Sequence, residues 1–154
     1  MNKPFGIVKA INISETKGVI KKTIPSGVFV PEHGLEGDAH AGNWHRQVSL
    51  LAQESIDKMT QMGVKGLESG KFAENLTTEG LSLHTLPVGT RLTIGETEHE
   101  VTQIGKECHS GCEIKTQVGH CIMPTEGIFT KVIKGGTIYT GDKIEVINHI
   151  ETLK

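Results

Sequence analysis

Arginine is nearly absent from this chain: only Arg46 and Arg91 occur among 154 residues, and the formal charge is −2. A surface built to neutralise many phosphates needs the opposite composition, so nucleic acid is not an expected partner. Long apolar runs are missing too. No segment approaches the roughly 18 consecutive apolar residues of a membrane-spanning helix. The first residues, Met1-Asn2-Lys3-Pro4-Phe5-Gly6, enter an alternating pattern directly, without the charged leader and apolar run of a secretion signal. These two absences point to a cytoplasmic protein without a membrane anchor. Aromatic residues are scarce, with one Trp and one Tyr, whereas there are 19 glycines, a balance that suits many short strands and tight turns. No repeat or low-complexity tract is present. The length is that of one domain, residues 1–154 with a core over about 6–147, large enough to bury a hydrophobic core without disulfide staples.

Cysteine is confined to one window. Cys108, Cys112 and Cys121 are the only thiols, and His109, His120, Lys106 and Lys115 lie in or beside the same stretch. In a reducing compartment an odd number of thiols points to catalysis, metal binding or inert packing before a structural disulfide. A thiol with an ordinary pKa near 8.5 is only a few per cent ionised at neutral pH, although the thiolate is the reactive form. Half-ionising it there asks for about 2 kcal/mol of preferential stabilisation, which Lys106, His109 and Lys115 supply if their side chains converge. Thiolate sulfur is soft and suits a transition metal. Cys108 is therefore read as a metal ligand or persulfide carrier, with Cys112 or Cys121 as a second ligand or resolving thiol. The competing reading is three small buried hydrophobes. Zinc is a weaker alternative: both of its preferred ligand types are present, but Cys108-His109 and His120-Cys121 do not match structural-zinc spacing.

Alternation predicts strands over residues 6–13, 19–24, 28–30 and 47–51, and a hairpin formed by 87–95 and 99–104. A last pair of strands is expected over 127–133 and 143–147. Residues 25–43 carry loop chemistry around Gly27, Pro31, Gly34, Gly37 and Gly42, and so long a loop in a compact domain is more often functional than idle. The spacing of Ile56, Met59 and Met62 predicts the one clear helix, from about Ala52 to near Gly63, with the two methionines as core or cover. Residues 14–17 and 151–154 are read as loose chain, and Lys21-Lys22 as a solvated pair. Strands dominate, so a closed or nearly closed β-barrel with a few short helices is expected, an arrangement that also removes exposed edges.

Several strings carry a resemblance in order and spacing. They are Gly37-Asp38-Ala39-His40-Ala41-Gly42, then Arg46-Gln47-Val48-Ser49-Leu50-Leu51, Phe72-Ala73-Glu74-Asn75-Leu76-Thr77-Thr78-Glu79-Gly80 and Pro87-Val88-Gly89-Thr90. Gln103-Ile104-Gly105-Lys106-Glu107-Cys108 and the glycines from Gly127 to Gly141-Asp142 complete the set. Together they resemble the MOSC domain, the module named for the C-terminal part of molybdenum cofactor sulfurases. The resemblance covers nearly the whole chain. Ala39, Ala73 and Gly105 depart from the commoner residues, Gly105 standing where relatives that handle the cofactor often have Arg. Nothing in this sequence corresponds to the pyridoxal-phosphate desulfurase domain of the sulfurases, so pyridoxal phosphate binding is not carried over.

The resemblance implies a MOSC β-barrel related to the barrel domain of pyruvate kinase. It further implies binding of the molybdenum cofactor (molybdopterin) or transfer of sulfur for its maturation. Cys108 is the position onto which the molybdenum-ligating thiol of stand-alone relatives, reductases of N-hydroxylated bases, maps. The expected partners are the cofactor itself and a cofactor-maturation protein or molybdoenzyme. Whether the protein is an enzyme, a carrier or interaction module, or a structural zinc-binding barrel stays open at this point. Arg46 has the fork geometry to hold a phosphate or carboxylate, or to sit in an ordinary ion pair. Asn75, Thr77 and Thr78 offer amide and hydroxyl groups to a pterin or its phosphate, or else stabilise a turn. Lys106 and His40 complete the candidate cofactor-binding set. His40, like His45, also reads as a solvated loop histidine.

Overall fold

The computed structural model of the protein describes residues 5–16, 21–63, 74–105 and 126–147. Cys108, Cys112, Cys121, Lys106 and the tail 151–154 lie outside the described residues.

The described chain runs through β1 (Phe5–Ile13), β2 (Lys22–Ile24), β3 (Ser26–Val30), β4 (Gly34–Leu35), β5 (Val48–Ala52), α1 (Gln53–Gln61) and β6 (Leu76–Glu79). A 3₁₀ turn at Leu83–Thr85 follows, then β7 (Arg91–Ile94), β8 (Thr97–Ile104), β9 (Ile128–Lys134), β10 (Gly136–Tyr139) and β11 (Lys143–Ile147). Strands β11, β7, β8, β9, β5, β6 and β1 are neighbours in that order, and β1 pairs back onto β11, which closes a seven-stranded barrel. β2 extends β1 outside the ring, and β10, β3 and β4 form a separate small sheet. Among the described residues no helix is long and apolar enough to cross a membrane.

Alternation places one face of each strand inside. Val8, Ile11, Leu50, Leu76, Leu92, Ile94, Val101, Ile128, Val132 and Ile144 form the packed interior, and Leu81 and Leu83 belong to the same cluster. The expected hairpin is present as β7–β8 and turns on two residues, since Ile94 pairs with Thr97. Gly95 has φ +57 there, and a Cβ would lie 2.4 Å from an Asp142 oxygen, so both the turn and the space require glycine. α1 buries Ser55, Ile56 and Met59 against the barrel. Met62, the third apolar position of that reading, is exposed.

One expectation about strands needs correction. The segments expected as a final pair do not pair with each other: β9 sits between β8 and β5, whereas β11 joins β7 to β1. Between them lies β10, which among the described residues pairs only with β3, more than a hundred positions earlier in the chain. Ring closure makes these pairings non-local.

Candidate functional site

One row of outward-facing residues crosses the barrel wall. Ile128, Leu50, Leu76 and Ile11 point into the core, so the residues adjacent to them in each strand point out. Gln103 on β8, Phe129 on β9 and Ser49 on β5 are successive register partners. Ser49 meets Asn75 just before β6, Asn75 bonds to Asn12 on β1, and Asn12 pairs with Thr23 on β2. The loop between β4 and β5 lies against this row and carries Asp38, His40, Trp44, His45 and Arg46. Four of the strings that stand out along the chain, those carrying Asp38, Arg46, Asn75 and Gln103, are thus brought together on one wall.

Asp38 anchors one end. Its Oδ1 accepts from Lys21 Nζ at 2.7 Å and from the Ser14 backbone N–H at 3.1 Å, and its Oδ2 accepts from the His40 backbone N–H at 3.1 Å. Burial acts to raise the Asp38 pKa. The hydrogen bond and charge of Lys21, with the bonds from Ser14 and Asn75, outweigh it and hold the carboxyl below its usual range. Lys21 is not solvated as expected. Its side chain is fully buried and donates to Asp38, to Ser14 Oγ at 3.4 Å and to His40 Nδ1 at 3.1 Å, whereas Lys22 is exposed. Ser14 is likewise buried and bonded rather than loose, its carbonyl accepting from Ala39.

Asn75, Thr77 and Thr78 are all buried. Asn75 Oδ1 accepts from Ser49 N–H and Oγ–H, and its Nδ2 donates to the Asn12 carbonyl. Thr77 Oγ1 donates to Glu74 Oε2 at 2.6 Å and accepts from Asn12 Nδ2 at 3.0 Å. Thr78 lies opposite Val8 and Ala52 with its hydroxyl on the apolar interior, and Oγ1 has no hydrogen-bond partner among the described residues. Asn12 and Glu74, which sequence reasoning passed over, are as buried as the residues it singled out. Polar residue types inside apolar alternating segments were the available signal.

Arg46 anchors the other end. Its Nε donates to Gln103 Oε1 at 3.0 Å, and its guanidinium lies 5.4 Å from the Phe129 ring centroid and 5.9 Å from that of Trp44. The ordinary ion pair is not found: among the described residues no carboxylate meets Arg46, whereas Arg91 meets both Glu98 and Glu100. His45 Nε2 shares the Gln103 oxygen at 2.9 Å. Gln103 Nε2 in turn donates to the Gly105 carbonyl at 2.8 Å, and the Gly105 N–H donates to the Gly127 carbonyl at 2.7 Å. Gly105 and Glu126 are the described residues that flank the cysteine-bearing stretch. Glu126 is tied to α1 through Ser55 Oγ at 2.6 Å and Lys58 Nζ at 2.7 Å.

The two ends are connected, because Trp44 Nε1 donates to the His40 carbonyl at 2.9 Å. Chemically the wall offers a guanidinium that no carboxylate among the described residues meets, close to Gly105 at the origin of the cysteine stretch. Such a group suits an anion. Among the described residues no group of three or more His, Cys, Asp or Glu converges as a metal site.

The fold has close counterparts. The YuaD protein of Bacillus subtilis superposes with a TM-score of 0.77 at 21% identity, covering 92% of this chain and 95% of that one. YiiM from Geobacillus stearothermophilus gives 0.71 at 14% identity, covering 94% and 76%, and YiiM from Escherichia coli gives 0.67 at 18%, covering 96% and 70%. At these identities the likeness shows the fold alone. No curated protein matches the chain significantly. The family model described as "MOSC domain" matches residues 37–145, from the Asp38 loop into the last barrel strand. Barrel, motif order and family model agree, and the chain belongs to the MOSC domain family.

Proposed function

We propose that this MOSC domain binds the molybdenum cofactor, or carries sulfur for its maturation, through the thiolate of Cys108, with Arg46 receiving the cofactor's anionic group. The observation that carries this reading is the state of Arg46. Its guanidinium is oriented by Gln103 and two aromatic faces, yet no carboxylate among the described residues neutralises it. A preorganised guanidinium of this kind favours a bidentate oxyanion. Gln103 also fixes the carbonyl of Gly105. Cys108 is three positions further in the sequence, and three residues span at most about 11 Å, which keeps the thiol within reach of the same wall.

The remaining candidates divide by how their polar atoms are used. His40, bonded to Lys21 Nζ and through its backbone N–H to Asp38, is retained as a cofactor-binding candidate at that end of the wall. Asn75 and Thr77 spend their hydrogen bonds inside the protein, so their contribution is to hold Ser49, Asn12 and the Asp38 loop in place. Lys106 supplies a positive charge two residues from Cys108 in sequence, and so favours the thiolate. When bound, the cofactor supplies the redox chemistry, and the protein sets its ligation and access.

The test is the intact mass of the protein as purified from a host that makes the cofactor, before and after mild reduction, together with its metal content. A labile sulfur adduct on Cys108, or molybdenum with pterin, is expected in the wild type and absent from Cys108→Ser at nearly unchanged thermal stability. Retention at wild-type level by Cys108→Ser contradicts the assignment. Turnover of an N-hydroxylated substrate then separates a reductase from a carrier.

A further inference from the structure

A guanidinium grips an oxyanion through one of two edges, the side edge built on Nε or the end edge built on Nη1 and Nη2, and each is a two-pronged fork. In Arg46 the side edge is already spent. Nε donates to Gln103 Oε1 at 3.0 Å, and among the described residues this is the guanidinium's only hydrogen bond. The Phe129 and Trp44 rings lie 5.4 and 5.9 Å away and hinder its rotation. The end edge is what remains. The orientation of the Gln103 amide follows from the chemistry of its neighbours. Arg46 Nε–H only donates, so the atom it meets is the amide oxygen, and the Gly105 carbonyl only accepts, so the atom 2.8 Å from it is the amide nitrogen. His45 Nε2, 2.9 Å from the same oxygen, must carry a hydrogen. Gly105 is held in turn, its N–H donating to the Gly127 carbonyl at 2.7 Å. One amide thus braces Arg46 against the backbone at the end of β8 and the start of β9.

A carboxylate at position 103 would accept from Arg46 and His45 more strongly, but it would cancel the charge of the guanidinium. An amide orients without neutralising. We propose that Gln103 is a positioning residue that occupies the side edge of Arg46 and so presents the end edge, fully charged, to an oxyanion carrying two free oxygens, as a phosphate monoester or a carboxylate does. This rests on the anion-binding reading of Arg46 given above. Ligand selection is the consequence. An anion with two oxygens gains both bonds of the fork, whereas a monatomic anion of the same charge has no second acceptor for it.

Arg46 and Arg91 are the only arginines and Trp44 is the only tryptophan, so each spectroscopic signal has a known source. In the ligand-free wild type, ¹H–¹⁵N spectra of the arginine Nε region should show both Nε–H groups protected from solvent exchange, that of Arg91 by its own bond to Glu100. Gln103→Met should remove the protection of Arg46 alone, and Gln103→Glu should keep it. A wild-type Arg46 Nε–H that exchanges like an unbonded one overturns the proposal, and that spectrum needs no variant to fold. The second readout is titration with inorganic phosphate, followed by Trp44 fluorescence. Gln103→Met should bind about tenfold more weakly than the wild type and Gln103→Glu at least tenfold more weakly. A merely structural brace predicts otherwise for Gln103→Glu, whose carboxylate still accepts from Arg46 and His45, so wild-type affinity in that variant overturns the positioning role. Chloride at the same concentration should not displace the phosphate, and displacement overturns the two-oxygen fork. Failure of the wild type to bind phosphate, with Arg46→Ala indistinguishable from it, overturns the anion reading itself and this proposal with it, whereas wild-type binding that persists in Gln103→Glu overturns this proposal alone.

Discussion

Lys21 and Lys22 are adjacent in sequence and differ completely in environment. Nothing local distinguishes them, since the partner that buries Lys21 is Asp38, supplied by a loop 17 positions away. The same non-locality explains why Asn12 and Glu74 went unread while the Asp38 loop and Asn75 stood out as motif residues. Removing one member of a buried pair leaves the other uncompensated, so Lys21→Met is expected to cost about 3–5 kcal/mol. Adding Asp38→Asn should recover a large part of that loss, as measured by urea denaturation. Thr78 makes the opposite prediction. Its hydroxyl is buried without a partner among the described residues, so Thr78→Val should be neutral or stabilise the protein by about 1 kcal/mol. A loss of 2 kcal/mol or more would mean that the hydroxyl is satisfied.

At the scale of elements, the β7–β8 hairpin was legible because its determinants are local: Gly95 at the turn and alternation on either side. α1 was legible for the same reason, through Ile56 and Met59 on its buried face. β10 was not, because its partner, β3, lies far away in sequence. β8 and β9 are also joined through the barrel interior by His99, which lies between Thr97 Oγ1 at 2.9 Å and Thr130 Oγ1 at 3.0 Å, with its ring edge-on to Phe29. Burial pushes the His99 pKa down from 6.5 to about 3. The folded protein therefore keeps this ring neutral where the unfolded chain would protonate it. The resulting stability is complete above pH 6.5 and is lost as the pH falls towards 3, at a slope approaching 1.4 kcal/mol per unit. Asp38, with its lowered pKa, adds a loss in the same direction at still lower pH. Between pH 7 and pH 5 the His99 share is about 2 kcal/mol. Urea midpoints should show it in the wild type and lose most of it in His99→Gln, and an equal slope in the two proteins would contradict the assignment.

For the whole molecule, closure of the ring by β1 on β11 brings segments from both ends of the chain into one barrel. It also aligns Gln103, Phe129, Ser49, Asn75 and Asn12 in one row. The barrel class was readable from the density of short alternating segments, and the family from the order of its motifs. The convergence of those motifs on one outer wall was not readable, because it depends on register. Arg46→Ala removes the Gln103 hydrogen bond and the cation over Phe129 and Trp44, so it should cost about 1–2 kcal/mol of stability without unfolding the barrel, while removing the cation on which anion binding depends. The most direct test is the molybdenum and pterin content of wild type, Arg46→Ala and Cys108→Ser, each purified from a host that synthesises the cofactor. The account predicts bound cofactor in the wild type, at least tenfold less in Arg46→Ala and no bound cofactor in Cys108→Ser. Equal content in all three folded proteins would contradict it.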